Sequence, residues 1–374
     1  MESKQYKFDF LRAAAALVVM FAHAFTIFMS PVISRDSIAN RIASVLSEHA
    51  VFVFFLLSGY LIMQSILNNM ERNGQLSIAE YLTSRLTRIY PPLLGSIAVC
   101  LLCFWIIHRF SLPGGAIPYT SSGIGMPPVR EYFLLSNSDV ENVLLMKNGM
   151  LIANGPLWSL NIEFLDYILL LLLTLTFVGP LLIRALAVGC VVAVFFHGMD
   201  LNGQFAYFSA IFAFGSAAAC AVLGKHALTL RTSGLLPVIF LVPATIVLWG
   251  VFYLGFMTLK QTIDLQLCVV YAYLFFGGNW LDHKLESRVM LDIADFSYSL
   301  YIVHFPLLLL LYSLSLQWIG SSAWRALGMF LMAPALICIF CRCFARFFEN
   351  KRLFYPLFNS PFVLLRAAKQ RILP

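Results

Sequence analysis

The stretch FDFLRAAAALVVMFAH, residues 8–23, sets Asp9, Arg12 and His23 in an otherwise apolar run. Eleven residues at about 100° each make three turns with about 20° to spare, so Arg12 and His23 share one helical face, about 16 Å apart along the axis. Arg12 can snorkel to a polar boundary and pair with Asp9 three residues earlier. His23 then lies deep. Ionisable groups inside apolar spans are costly and mark candidate functional sites, and neutral imidazole is the form that serves as a general base. The plain alternative is a histidine satisfied by a backbone carbonyl inside a bundle. A second candidate comes from GPLWSLNIEFLDYILL, residues 155–170. Glu163 lies about 9 Å into that helix by helical rise, a depth expected to match that of His23. A carboxylate and an imidazole at one depth can act as a base and its orienting partner. Asp166 shares the face of Glu163 at i+3. Here the alternative is a polar tie between helices with no chemistry.

Two further segments carry polar groups of interest. YLTSRLTRIYPP places Arg85 and Arg88 on one helical face just before an apolar run, the arrangement a phosphate-binding pair requires. Basic residues at such a boundary also serve topology alone. DFSYSLYIVHFPLL holds His304 two residues before Pro306, with Ser297, Tyr298, Ser299 and Tyr301 alongside. Pro306 should kink its helix and free backbone groups, which the nearby hydroxyls are expected to satisfy. His304 reads as structural or pocket-lining. Cys338, Cys341 and Cys343 cluster without the second set of ligands that a zinc site needs, so no metal is expected.

These residues must be positioned by elements of an unusual kind. The 374-residue chain is 60% hydrophobic and only 11% charged, with a mean hydropathy of +0.84. Soluble domains carry about a quarter charged residues, so an all-α, polytopic membrane protein is expected. Ten apolar runs lie near 8–29, 50–68, 89–108, 157–178, 181–198, 204–223, 235–255, 262–281, 295–315 and 324–345. The first run shows no clear small-residue cleavage site and is expected to be a retained helix rather than a signal peptide. Threading these runs from an inner N-terminus leaves only Arg35, Arg41, Arg109, Arg130, Lys147, Lys260 and Arg325 of the 25 Lys and Arg outside. Both termini are therefore expected to be cytoplasmic. The net charge of +7 follows from this bias and from a basic tail at about 346–374 facing lipid headgroups, not from nucleic-acid binding. A single integral membrane domain is predicted, with a long external loop at about 109–156. That loop is either a plain connector or a lid or acceptor-binding surface.

Together the four segments resemble the integral membrane acyltransferases known as the acyltransferase-3 family, over nearly the whole chain. Arg12 and His23 match the family's arginine, ten residues, histidine pattern. VFFLLSGYLI is similar to its second-helix FFxLSGFLI, SRLTRIYP to its basic RRxxRIYP, LWSLNIEF to WSLxxE, and FSYSLYIVHFP to SYSLYLxHxP. Departures fall at Ala13, Ser84, Phe164 and Asp166. The resemblance implies transfer of an acyl group, most often acetyl, from cytoplasmic acetyl-CoA to a hydroxyl of a cell-surface glycan such as O-antigen, in a bacterial inner membrane. It implies that Arg12, Arg85 and Arg88 hold the CoA phosphates. His23, oriented by Glu163, would deprotonate the acceptor; an acyl-histidine intermediate is the competing route. A transporter or flippase with a proton relay, or a glycan polymerase for lipid-linked sugars, is the rival reading. The absence of internal repeats and the cytoplasmic arginine pair both weigh against those.

Overall fold

The computed structural model describes residues 3–29, 32–33, 37–117, 128–134, 137–144, 152–201, 203–223, 236–277 and 287–360. The described residues are helical throughout, without strands. The long helices are α1 (Ser3–Phe28), α2 (Ile38–Asn73), α3 (Ile78–Arg109), α4 (Trp158–Val178), α5 (Leu181–Leu201), α6 (Phe205–Leu223), α7 (Leu236–Tyr253), α8 (Leu259–Ala272), α9 (Ser297–Ile319) and α10 (Ala323–Phe348).

Among the described residues, eight helical segments are long and apolar enough to cross a bilayer: Tyr6–Phe28, Ile38–Asn73, Ile78–Arg109, Ala153–Val178, Leu181–Asp200, Phe205–Leu223, Ser297–Ile319 and Ala323–Phe348. The described parts of the runs at 235–255 and 262–281 also form helices, but neither meets that standard. In α7 the apolar helix is Val242–Tyr253. In α8, Lys260, Gln261, Asp264 and Gln266 dilute the hydropathy, and a single π-helical turn, Tyr273–Gly277, follows. Helices α2 and α3 begin well before their apolar runs. Arg85 and Arg88 thus sit inside α3 rather than ahead of it.

The chain divides into two compact units. The first comprises Met1–Arg12, Val51–Leu76 and Ser159–Arg288; the second comprises Ala13–Ala50, Ser77–Trp158 and Val289–Pro374. In the first, α2 and α6 cross at a pair of glycines. A Cβ on Gly59 would run into the Phe212 carbonyl, and one on Gly215 into the Leu56 carbonyl. Small residues let backbones approach this closely where no hydrophobic drive between helices exists. Ser216 Oγ donates to the Gly59 carbonyl at 3.1 Å across the crossing. Beside it Tyr60 lies parallel to Phe276, ring centroids 4.3 Å apart, with Phe8 closing the cluster. Helix α5 keeps its apolar side chains outward: Leu181 is 85% exposed and Leu182 72%, as a lipid-facing surface requires.

The second unit is built around α9, which packs on α3, α10 and the turns Pro113–Ala116 and Ile152–Leu157. Gly114 meets α9 at the Ser313 backbone, leaving no room for a Cβ. Phe344 of α10 covers Gly95 of α3. Glu349, just past α10, accepts from the Ser299 N–H at 3.0 Å and from its hydroxyl, capping the N-terminus of α9. The described residues of the segment 109–156 include a 3₁₀ turn at Pro113–Ala116 and helices at Val129–Tyr132 and Asn137–Leu144. Val129, Phe133, Val143 and Ala153 bury their side chains, and the described part of this segment packs against α9 and α3.

Candidate functional site

In α1 the spacing does what helical geometry requires. Arg12 donates to Asp9 Oδ1 at 3.0 Å, with the two side chains 22% and 31% exposed. His23 follows on the same uninterrupted helix and is half-buried. Its Nδ1 lies 2.8 Å from His304 Nε2. His304 is fully buried in α9, and its Nδ1 lies 2.9 Å from the Leu300 carbonyl one turn back. Phe305 and the His23 ring meet in a T-shaped arrangement, 5.3 Å between centroids.

Pro306 shapes this turn of α9. Proline has no N–H to give, so the Ile302 carbonyl, four residues earlier, loses its helical partner. The neighbouring hydroxyls expected to fill that vacancy do not do so. Ser299 is engaged by Glu349, and Ser297 bonds back to the Ala294 carbonyl. Instead the Asn154 amide donates to the Ile302 carbonyl at 2.7 Å. Asn154 is fully buried, at a kink of non-helical backbone in the turn Ile152–Leu157. Tyr301 adds a second stitch by donating to the Pro156 carbonyl at 3.3 Å. The turn that carries His304 is therefore fastened to the turn Ile152–Leu157 at two points.

Glu163 occupies the other unit. Its Oε1 accepts from Ser58 Oγ of α2 at 2.6 Å and from the Tyr167 hydroxyl one turn further along α4; Ser58 and Tyr167 themselves lie 3.1 Å apart. The Ser-Gly pair of VFFLLSGYLI thus divides two tasks: Ser58 reaches the carboxylate and Gly59 allows α6 to approach. Asp166, 2% exposed, turns instead to α6, where Ser209 donates to it at 2.6 Å. Three residues of spacing put both acids on α4, yet they serve different neighbours.

In α3, Arg85 and Arg88 are half-buried. The Arg85 guanidinium carbon lies 5.6 Å from the centre of the Tyr81 ring. Pro91 and Pro92 sit inside this helix and remove the helical donors to the Thr87 and Arg88 carbonyls. Arg12 and Glu163 belong to the first unit; His23, Arg85, Arg88 and His304 belong to the second. Among the described residues no group of three or more His, Cys, Asp and Glu is arranged to hold a metal. Cys341 is buried while Cys343 is exposed, so that cluster does not converge.

Sequence reading missed Ser58, Tyr167, Asn154 and the pairing of His304 with His23. Tyr167 could have been found, being one helical turn from Glu163. The others join positions 105, 148 and 281 residues apart, where no local spacing speaks.

Comparison with known proteins adds the family. The profile described as "Acyltransferase domain", of the acyltransferase-3 type, matches residues 5–342. An "O-acetyl transferase" of Shigella phage Sf6 is 30% identical over 166 residues, which is 43% of this chain and 44% of the phage protein. The similarity therefore spans less than half of that relative's length. No solved structure matches the chain. A profile match across nearly the whole sequence, on a chain with eight span-grade helices among its described residues, settles its kinship: the chain belongs to the acyltransferase-3 family.

Proposed function

We infer that this membrane protein is an O-acetyltransferase, moving an acetyl group from cytoplasmic acetyl-CoA to a hydroxyl of a cell-surface glycan, of the O-antigen kind, outside a bacterial inner membrane. The observation that carries this reading is α1, one unbroken helix with Arg12 paired to Asp9 near one end and a half-buried His23 eleven residues on. It offers a cation toward the inner face and a base about 16 Å deeper, the span between the phosphates of a CoA and its thioester. Family membership supports acyl transfer, and the phage relative's name supports acetyl transfer to oxygen. The Lys and Arg bias supports a topology of about ten spans with both termini inside.

In this reading His23 takes the proton of the acceptor hydroxyl as its oxygen attacks the thioester carbon. The C–S bond breaks, and the proton passes from His23 to the departing thiolate, giving the ester and free CoA. Glu163 is assigned as the second catalytic group, with Ser58 and Tyr167 holding its carboxylate. Arg12, Arg85 and Arg88 are assigned to the CoA phosphates, which guanidinium groups recognise by paired donors. The test is incorporation of label from radiolabelled acetyl-CoA into envelope glycan, in membranes carrying the wild-type chain or His23→Ala. Incorporation that depends on the chain and is lost in the variant supports the assignment. Full incorporation by a correctly inserted His23→Ala protein overturns it.

A further inference from the structure

The two histidines admit one consistent placement of protons. A carbonyl oxygen only accepts, so His304 Nδ1, 2.9 Å from the Leu300 carbonyl, must carry hydrogen. A neutral imidazole has one N–H, so His304 Nε2 is a bare lone pair. His23 Nδ1, 2.8 Å away, must then be the donor. That leaves the lone pair of His23 on Nε2.

Ring geometry agrees. The planes differ by only 9°, yet the centroids stand 5.1 Å apart while the facing nitrogens are 2.8 Å apart. Faces stacked on each other would bring centroids nearly as close as the nitrogens. The excess amounts to two ring radii, so the rings meet edge to edge in nearly one plane, the direction in which an imidazole N–H and lone pair point. A cationic His304 would reverse the order, donating from both nitrogens and forcing His23 to carry its hydrogen on Nε2. Burial opposes that state: His304 is fully buried, neither ring has a carboxylate partner among the described residues of its unit, and an unpaired buried charge is costly.

We propose that His304 is a positioning residue, which holds His23 as the Nδ1–H tautomer and so presents Nε2 as the proton acceptor. The proposal rests on the assignment of His23 as the base. The reacting hydroxyl donates to His23 Nε2, His23 Nδ1–H donates to His304 Nε2, and His304 Nδ1–H donates to the Leu300 carbonyl, where the chain ends. When Nε2 takes the acceptor's proton, the bond from Nδ1 to His304 persists and gains strength, because its donor is now cationic. Asn154 and Tyr301 support the arrangement from behind by fixing the turn of α9 that carries His304.

The test is nitrogen NMR of the full chain, labelled with ¹⁵N-histidine and solubilised in detergent, with the His23 signals assigned by their loss in His23→Ala. Wild type is expected to show a protonated Nδ1 and a bare Nε2 on His23. His304→Leu should move His23 to the Nε2–H form, and His304→Gln, whose amide oxygen can accept near the position of Nε2, should restore the Nδ1–H form. In parallel, kcat for transfer should fall about 10²-fold in His304→Leu, with KM for acetyl-CoA unchanged and most of the loss recovered in His304→Gln. An Nε2–H signal on wild-type His23, or a tautomer indifferent to His304→Leu, overturns the proposal. The spectra need no turnover. An Nδ1–H signal that responds to His304, in a chain whose His23→Ala variant retains full activity, refutes His23 as the base and leaves the tautomer assignment intact.

Discussion

At the scale of single residues, the proposed chemistry concentrates on two side chains with contrasting support. His23 is held through one nitrogen by another imidazole, whereas Glu163 receives two hydroxyl donors on one oxygen. Removing the base by His23→Ala is expected to lower transfer by about 10²–10⁴-fold while leaving acetyl-CoA binding in place, measured by turnover and equilibrium binding on the same preparation. Glu163→Gln keeps the shape and removes the charge, so transfer should drop by about 10²-fold with thermal stability near wild type. Much of this site is legible in the amino-acid sequence alone. The Asp9–Arg12 pair follows from i,i+3 spacing, and Tyr167 lies one helical turn from Glu163. Ser58 and His304 are not legible as partners, because each finds its acid or base through tertiary packing of a distant helix.

At the scale of elements, the segment before α4 and the broken turn of α9 form one device. Asn154→Leu leaves the Ile302 carbonyl without its donor, which should cost about 1–3 kcal/mol, read as a lower unfolding temperature in detergent. Pro306→Ala returns an N–H to that carbonyl, so Asn154→Leu should cost much less in its background. Comparing the single and double variants isolates the coupling; equal costs in both backgrounds would show that the two residues act independently. Gly59→Ala and Gly215→Ala each press a methyl group on a carbonyl of the facing helix, so either should destabilise by about 1–3 kcal/mol. Apolar runs locate most of these helices but not their ends. Helix α2 begins at Ile38 and α3 at Ile78, because polar turns continue a helix without changing hydropathy. The vacancy at Ile302 is foreseeable from Pro306, but its occupant is not, since the local hydroxyls are equally plausible and are used elsewhere.

At the scale of the whole molecule, charge and family fix the frame in which the site is read. Exposed apolar side chains along α5 and the scarcity of charge suit a lipid surround, and the profile match spans residues 5–342. Near the end of α10, Arg342 lies 3.7 Å from Asp292, so part of the basic C-terminal region is balanced within the protein and is not wholly available to headgroups. Reporter fusions within residues 109–156 should report the external side, and fusions after residue 360 the cytoplasm; the reverse would separate Arg85 and Arg88 from cytoplasmic CoA. The most direct test of the account is equilibrium binding of radiolabelled acetyl-CoA to the purified full chain. The wild type, the Arg85→Ala/Arg88→Ala variant and His23→Ala would be compared. The account predicts saturable binding that weakens at least tenfold (about 1.4 kcal/mol) in the arginine variant and is retained in His23→Ala. A folded wild-type protein that does not bind acetyl-CoA, or binding indifferent to both arginines, would contradict it.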